Sequence, residues 1–232
     1  MSIQKKQKIP LSIGIIIDGN RRWAKDNGLT VAQGHRAGFD NLKACISWAE
    51  KAGVKNLIFY AFSTENWKRS KEEIANFMEL LKSGLHEILD EAKKKKTSVR
   101  FIGQRERWPK LVQALMSKVE EETKTFKEKT VAFALSYGGR AEIVHAVNSI
   151  LKKGQKKEVT EKEFETELWT NGLPDPDIII RTGNTMRLSN FLPWQSVYSE
   201  LYFTGTLWPD FDEEEFNHVL DEYKERERRI GK

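Results

Sequence analysis

Cysteine is almost absent from this sequence of 232 residues, which contains only Cys45. A single thiol allows no internal disulfide and no metal site built from cysteine side chains. Cys45 stands at helical spacing from Phe39, Leu42 and Ala49. This spacing is typical of one apolar helix face, so we expect a buried core thiol rather than a nucleophile.

Long apolar runs are also missing. No segment approaches the ~20 consecutive apolar residues of a membrane-spanning helix. The apolar run near the N-terminus is too short for a secretory signal, and it ends at Asp18. We therefore expect a cytoplasmic protein in a reducing compartment.

Several catalytic signatures are absent as well. The sequence contains no GxxxxGKS/T phosphate loop, no HExxH metal motif, no GxSxG nucleophile motif and no DDxxD motif. The four histidines are scattered. His35 lies among glycines near the first polar loop and could contact a phosphate, whereas His86, His145 and His218 fit ordinary helix positions.

The composition that remains is typical of a folded globular protein, with 39% hydrophobic residues, seven tryptophans and 31% charged residues. Its length allows one large domain or two small ones. The formal net charge of +5 favours anionic partners, without distinguishing nucleic acid, phosphorylated metabolites or an acidic membrane surface. A basic surface that is merely solvated explains the charge equally well.

Short apolar runs alternate with longer amphipathic stretches along the chain. Runs rich in Ile, Val and Phe predict strands at 11–17, 56–62, 98–103, 130–136 and 176–182. Helical spacing predicts helices at 36–52, 71–95, 107–128 and 139–153, and a last helix runs from an acidic start to a basic end over 212–232. This alternation predicts an α/β fold: a single domain over 1–232, with a mainly parallel central sheet flanked by helices. Residues 1–10 are expected to be flexible.

Polar residues collect directly after four of the predicted strands, where ligands bind in open α/β sheets. The segments are "DGNRRW", "STENWKR", "YGGR" and "RTGNTMRLSN". Arginine's planar fork suits phosphate oxygens, and glycines let the backbone approach closely. These loops predict a site for one or two polyphosphate groups, formed by Asp18, Asn20, Arg21, Arg22, Ser63, Asn66, Arg69, Arg140, Arg181, Arg187 and Ser189.

Asp18 is a carboxylate among these arginines, and it would repel phosphates unless a cation lay between them. Magnesium bridges carboxylate and diphosphate oxygens while using only one or two protein carboxylates. The sequence therefore predicts that Asp18 holds Mg²⁺ while Arg21, Arg22 and the following helix start hold phosphates. The alternative is an N-cap or turn residue, since aspartate is common at such positions.

Seven motifs resemble those of the cis-prenyltransferases, the undecaprenyl diphosphate synthase family. They are "DGNRRWAK", "GHRAG", "YAFSTENWKR", "YGGR", "RLSNF", "WQSVYSELYF" and "LWPDF", in the family's order and spacing, and the resemblance runs from about residue 12 to the closing "RERRIG". It implies a Mg²⁺-dependent homodimer that condenses isopentenyl diphosphate with an allylic prenyl diphosphate and forms Z double bonds. It also implies an apolar tunnel walled by Phe77, Met78, Leu81, Leu85 and Ile88, a face that could otherwise be plain core. A long lipid product implies peripheral membrane contact.

The resemblance also implies roles for individual residues. Asp18 would carry the metal, with Glu200 assisting the metal or the dimer contact. Gly19, Asn20, Arg21, Arg22 and His35 would surround the allylic diphosphate, and Trp23 would belong to the same substrate site. Asp18, Ser63 and Asn66 would act in catalysis, with Trp67 and Arg69 flanking the reacting carbons. Arg181, Arg187 and Ser189 would bind isopentenyl diphosphate, and Arg229 and Gly231 would reach that site in the partner subunit.

Some positions depart from the family's usual pattern. Val31 stands where an arginine usually contacts phosphate, and Asn184 and Thr185 stand where a glycine and an acid are usual. Ser136 replaces a common asparagine, and Pro193 replaces a common aliphatic residue. Lavandulyl-type relatives join isoprene units in a non-head-to-tail manner. The departures at Val31 and Thr185 therefore suggest an unusual substrate or bond connectivity.

Two other classes of function stay open. One is a non-catalytic subunit that activates a partner, as Nogo-B receptor-type members do, although such subunits typically lack the acid and several arginines that are present here. The other is a nucleic-acid binder, which rests only on charge. The chain has no basic stripe with interleaved aromatic residues and no known reading motif, so we expect no nucleic-acid partner.

Overall fold

A six-stranded parallel sheet forms the centre of the protein in a computed structural model, which describes residues 9–154 and 158–226. The strands are β1 (Ser12–Ile16), β2 (Asn56–Ser63), β3 (Ser98–Ile102), β4 (Thr130–Tyr137), β5 (Ile178–Arg181) and β6 (Glu200–Phe203). Their order is β3-β4-β2-β1-β5-β6, and every neighbouring pair is parallel. The residues of β1 and β5 are all buried, as expected where helices cover both faces of a parallel sheet.

Seven α-helices connect and cover these strands within the described residues: α1 (Asn20–Asp26), α2 (Val31–Ala52), α3 (Lys71–Lys95), α4 (Lys110–Thr123), α5 (Gly139–Lys152), α6 (Glu161–Glu165) and α7 (Glu213–Glu225). The predicted α/β class with a parallel sheet is confirmed. The five predicted strands and the helix at 71–95 are all present. The prediction that residues 1–10 are flexible falls mainly on residues 1–8, which lie outside the described residues.

Several predicted boundaries were wrong. The helix predicted from residue 36 begins at Val31, because Thr30 and Gln33 form a reciprocal capping box at its start. The helix predicted over 107–128 spans only Lys110–Thr123, since Pro109 precedes it and a short 3₁₀ turn occupies 105–107. The last helix is described only over Glu213–Glu225. Strand β6 and the five-residue α6 were not predicted at all.

Two apolar layers hold the sheet. On one face, α2, α3, α4 and α7 bury a large cluster that includes the fully buried Trp208. On the other face, a smaller cluster stacks Tyr60 on Phe191, with ring centroids 4.7 Å apart. Cys45 is fully buried in the first layer, so the predicted core thiol is confirmed. Within residues 9–154 and 158–226, no helix has the length and apolar character that crossing a membrane requires.

Strand register brings the functional loops together. β1 lies between β2 and β5, and Ile16 at its carboxyl end is paired with both Tyr60 and Arg181. The segments that follow these three strands therefore leave the sheet side by side. One edge of the sheet thus collects residues 17–23, 63–69 and 182–190.

Candidate active site

A cavity of about 1110 Å³ opens at this edge and extends between α2, α3 and the sheet. Its polar end is formed by Asp18, Asn20, Arg21, Arg22, Lys25, His35, Ser63, Glu65, Asn66, Arg69, Arg181, Arg187, Ser189 and Asn190. Its apolar wall is formed by Phe39, Leu42, Phe77, Leu80, Leu81, Ile88, Phe101, Phe133 and Leu135. Between Phe77 and Ile88 the wall follows α3 for eleven residues, roughly 16 Å of helix.

A second cavity of about 530 Å³ lies farther along α2 and α3. Ile88 and Phe133 line both cavities, so these two side chains form the partition between them. Beyond the partition the lining includes charged side chains, among them Lys43, Glu87 and Lys95. Met78 and Leu85, predicted for the tunnel wall, pack in the core and do not line the first cavity.

Asp18 is positioned by its backbone. Its carbonyl oxygen accepts hydrogen bonds from Thr182 Oγ1 at 2.7 Å and from the Trp208 N–H at 3.1 Å. Gly19 follows at φ 123°, and a side chain there would meet the Leu207 backbone at 2.9 Å. The N-cap of α1 is Gly19, and no side chain caps this helix. Asp18 is therefore not the N-cap, and its carboxylate is directed into the site.

The Asp18 carboxylate lies between two guanidinium groups. Its Oδ1 is 3.2 Å from Arg22 Nη2 and its Oδ2 is 2.9 Å from Arg181 Nη2, while about a third of the side chain remains exposed. Arg181 is almost completely buried, and it donates to Ser189 Oγ at 2.6 Å and to the carbonyl of Arg187. Its Nε is buried without a partner among the described residues. A ligand oxygen would satisfy that donor.

Glu73 organises the opposite side of the polar end, and it was not predicted. Its carboxylate lies 3.0 Å from Arg69 Nη1, 3.7 Å from Arg21 Nη1 and 4.0 Å from His35 Nε2. In the sequence, Glu73 follows Ser70 at the spacing of a helix cap, and Ser70 Oγ does accept from its N–H at 3.2 Å. The local sequence therefore predicts only a helix cap, and the ion pairs of this carboxylate with Arg69 and Arg21 could not be predicted from it.

His35 is buried beside this carboxylate. The pKa of His35 is lowered to about 4, chiefly by burial and also by the Arg69 and Arg21 charges, while the Glu73 charge opposes them. The imidazole is therefore neutral at pH 7. Its Nδ1 is buried without a partner among the described residues, and its ring meets Phe77 edge-on with centroids 6.1 Å apart.

The loop after β2 supplies the amide and hydroxyl groups of the site. Asn66 Oδ1 accepts from the Ser63 N–H at 3.0 Å, in a capping box that fixes the short turn at 64–68. Glu65, which was not predicted, also lines the cavity and accepts from Asn190 Nδ2 at 3.3 Å. Burial raises the pKa of the Glu65 carboxyl, but hydrogen bonds from its own backbone, Ser63, Thr64 and Asn190 hold the pKa below its usual value.

Asn20 joins α1 to α2 at the rim. A side chain at Gly34 would lie 2.4 Å from the Asn20 carbonyl oxygen, and one at Gly38 would lie 2.2 Å from Asn20 Oδ1. The two glycines in "GHRAG" thus allow the helices to cross in contact. Asn20 Oδ1 is buried without a partner among the described residues.

A family model described as putative undecaprenyl diphosphate synthase matches residues 16–231. The chain belongs to this family. Its relatives include isoprenyl transferases of Thermotoga maritima, 45% identical over 97% of both chains, and of Fusobacterium nucleatum, 46% identical over 97% of both chains. The undecaprenyl diphosphate synthase resemblance predicted from the motifs is confirmed, and the chain is a prenyltransferase.

Two solved structures share the fold of this family member. Lavandulyl diphosphate synthase from Lavandula x intermedia, solved in complex with dimethylallyl diphosphate, has a TM-score of 0.91 and 36% identity, covering 97% of this chain and 99% of its own. A probable undecaprenyl diphosphate synthase from Campylobacter jejuni has a TM-score of 0.82 and 34% identity, covering 97% of this chain and 100% of its own.

Four residues predicted for the prenyltransferase site do not line its cavity. Arg140 is exposed at the start of α5, and its backbone N–H donates to Asn190 Oδ1 at 2.9 Å. Trp23 donates from its indole N–H to Asp210 Oδ1 at 2.6 Å and ties α1 to the turn at 208–210. Trp67 packs among Phe62 and Trp108, behind the cavity wall. Glu200 begins β6, and its carboxylate is 2.8 Å from Arg226 Nη1. Arg229 and Gly231 lie outside the described residues.

The departures from the family pattern have different structural settings. Ser136 has φ 53°, a left-handed conformation that asparagine adopts more readily than serine, and its hydroxyl accepts from the Trp67 indole at 2.8 Å. Val31 lines the cavity at the start of α2. Asn184 and Thr185 do not line it. Pro193 packs so closely on Gly139 that a side chain at Gly139 would lie 1.9 Å from the proline ring.

Proposed function

We propose that this prenyltransferase is a Mg²⁺-dependent synthase that condenses isopentenyl diphosphate with an allylic prenyl diphosphate, forms a Z-prenyl or polyprenyl diphosphate and releases diphosphate. The observation that carries the proposal is a single cavity with a cationic end and a long apolar wall. That combination matches a substrate with a diphosphate head and a hydrocarbon tail.

The polar end carries a surplus of positive charge. Six cationic side chains line it (Arg21, Arg22, Lys25, Arg69, Arg181 and Arg187), against the two carboxylates of Asp18 and Glu65 and a third, Glu73, beside Arg69 and Arg21. A cleft lined by an excess of charge of one sign attracts ligands of the opposite sign, so the arrangement favours anionic ligands. The cations lie on both sides of Asp18, which leaves room for two diphosphates: the allylic one beside α1 and isopentenyl diphosphate beside Arg181 and Arg187.

Asp18 fits the needs of a bound magnesium ion. Mg²⁺ keeps several waters and takes one or two carboxylates together with substrate phosphates. Asp18 is partly exposed, and within residues 9–154 and 158–226 no group of three or more His, Cys, Asp or Glu side chains could hold a metal. Diphosphate oxygens would complete the coordination. The ion would neutralise charge that develops on the leaving diphosphate.

The chain's own residues perform the remaining tasks. Arg22 and Arg181, now paired with Asp18, would turn their donors to phosphate oxygens and stabilise the leaving group. Ser63 and Asn66 would orient the reacting ends. His35 is neutral at pH 7 and, with a pKa of about 4, is a weak base. The proton lost on bond formation would therefore go to the diphosphate itself.

The apolar wall retains the growing product. Each added isoprene unit buries about five carbons, which contributes about 4 kcal/mol at ~0.8 kcal/mol per CH₂. The partition formed by Ile88 and Phe133 is the first obstacle the chain meets. Because the product is a lipid, we expect a cytoplasmic enzyme with peripheral contact at a membrane surface.

We further propose a homodimer. Val144, Val147 and Leu151 form an exposed apolar stripe on α5, and Val197 is 69% exposed in the loop that packs on the first turn of this helix through Gln195 and Glu142. A second copy is the occupant we propose for this face. Light scattering would give twice the monomer mass, and Val147→Glu would give monomers. A wild type that stays monomeric at micromolar concentration would contradict the proposal.

The second candidate, a non-catalytic subunit that activates a partner, is less consistent with this site. Asp18 and the arginines on both sides of it are present and in contact. Non-head-to-tail connectivity is the finer alternative, supported by Val31 at the cavity rim and by the likeness to lavandulyl diphosphate synthase. The surplus of cations is confined to one end of a cavity with an apolar wall, which does not fit an extended nucleic acid.

The test is incubation with C10, C15 and C20 allylic diphosphates, labelled isopentenyl diphosphate and Mg²⁺, followed by NMR of the dephosphorylated product. We expect Asp18→Ala to reduce kcat/KM by about a hundredfold or more, the range for losing one group that stabilises developing charge. Asp26→Ala, an exposed acid at the end of α1, serves as the matched control. Equal inactivity of wild type and Asp18→Ala would support a non-catalytic subunit. A product joined in a non-head-to-tail manner would establish the alternative bond connectivity.

A further inference from the structure

Lys25 lines the polar end of the cavity, and nothing in the resemblance assigns it a role. It lies in the last turn of α1, four residues after Arg21, so the two side chains occupy the same face of the helix. Arg21 lines the cavity as well. The lysine therefore extends the cationic face of α1 by one turn toward the rim.

The ammonium group of Lys25 differs from the guanidinium groups of Arg21, Arg22, Arg69 and Arg181 in having no acidic partner. Arg22 and Arg181 are paired with Asp18, and Arg21 and Arg69 with Glu73. Among residues 9–154 and 158–226, no carboxylate lies within ion-pair distance of Lys25. Its charge thus remains fully available to a ligand, whereas those four arginines must first give up a carboxylate.

Val31 completes the setting. It is the first residue of α2 and lines the same end of the cavity, so this part of the rim offers a ligand a methyl surface and no charge. The close crossing of α1 and α2 at Gly34 and Gly38 fixes the position of this surface relative to Lys25. A diphosphate that reaches beyond Arg21 along this face of α1 therefore meets Lys25 as the next cation.

We propose that Lys25 binds the outer phosphate of the allylic diphosphate and supplies the positive charge that position 31 lacks. The inference rests on the proposed function and names one more binding residue for it. Lysine acts as a flexible point charge, whereas an arginine at position 31 would offer a fixed fork. The contact would thus hold the diphosphate without imposing a single orientation on it.

The test measures binding and turnover of Lys25→Met, with Lys127→Met as the control. Lys127 is an exposed lysine outside the cavity, so this variant loses the same charge elsewhere. Losing one charge-assisted contact weakens binding by roughly ten- to a hundredfold. We expect Lys25→Met to raise by that factor both the KM of the allylic substrate and the Kd of farnesyl thiodiphosphate, which binds without reacting. The KM of isopentenyl diphosphate should stay within about twofold of wild type.

A rescue variant separates this role from a structural one. In Lys25→Met, the added Val31→Arg substitution should restore most of the lost affinity, whereas Val31→Arg alone should strengthen binding less than it does in the double variant. The inference is overturned if Lys25→Met binds the thiodiphosphate as wild type does, if only the KM of isopentenyl diphosphate rises, or if Val31→Arg gives no rescue. A wild type that forms no prenyl product and binds no thiodiphosphate would overturn the proposed function and this inference together.

Discussion

His35 should make the stability of the fold depend on pH in a narrow acidic window. The pKa of His35 is about 4 in the folded chain, against 6.5 for an unperturbed histidine. Between these values the unfolded chain binds a proton at this residue and the folded chain does not, so stability is lost as pH falls from 6.5 to 4. The side chain is only 7% exposed, and the difference corresponds to about 3 kcal/mol.

The assay is urea unfolding of wild type and His35→Gln at several pH values between 7.5 and 4. The other three histidines are exposed and are present in both proteins, so their contributions cancel in the comparison. We expect the two curves of stability against pH to diverge by about 3 kcal/mol across the window, with wild type falling more steeply. Parallel curves would show that burial does not suppress protonation of His35.

Two further predictions concern the cavity and the helix crossing. Ile88→Ala should open the partition into the second cavity, which has about half the volume of the first, and should lengthen the prenyl product. Adding Ala44→Phe, which fills the second cavity, should return the product to its original length. Mass spectrometry of the products measures these lengths, and equal lengths in all three proteins would contradict the assigned partition. Gly34→Ala should lower stability by about 1–3 kcal/mol, because its methyl group would press on the Asn20 carbonyl oxygen. Gly205→Ala, which meets no atom within 4 Å, should unfold at the same temperature as wild type, and thermal melts that do not separate the two variants would show that α1 moves away freely.

The elements that sequence predicted well are those whose signal is local. β1 and β5 are short runs of isoleucine bounded by turn residues, and α3 repeats its apolar residues at helical steps over 25 residues. β6 was missed because an edge strand is covered on fewer sides, and the apolar run in its sequence "ELYF" is only three residues long. The early start of α2 could have been read from the capping pair Thr30 and Gln33.

The residues of the candidate site could be predicted where strand order brings them together. They could not be predicted where helix packing brings them together. Asp18, Arg181 and Ser189 follow neighbouring parallel strands, so their meeting follows from the topology. Glu73 meets Arg21 and Arg69 only because α3 begins over the end of α1, a tertiary relation that no local pattern encodes. Trp23 and Trp67 were wrongly assigned to the site for the same reason. An aromatic residue inside a functional motif can equally pack against the structure behind the site.

The peptide group of Asp18 is held by Thr182 and Trp208 through its carbonyl oxygen, independently of its carboxylate. Truncating this side chain therefore removes the negative charge and leaves the loop, Gly19 and the start of α1 in place. An alanine variant at this position should fold normally and bind both substrates without breaking the first bond. It is the form of the protein in which both diphosphates could be captured together and seen by crystallography.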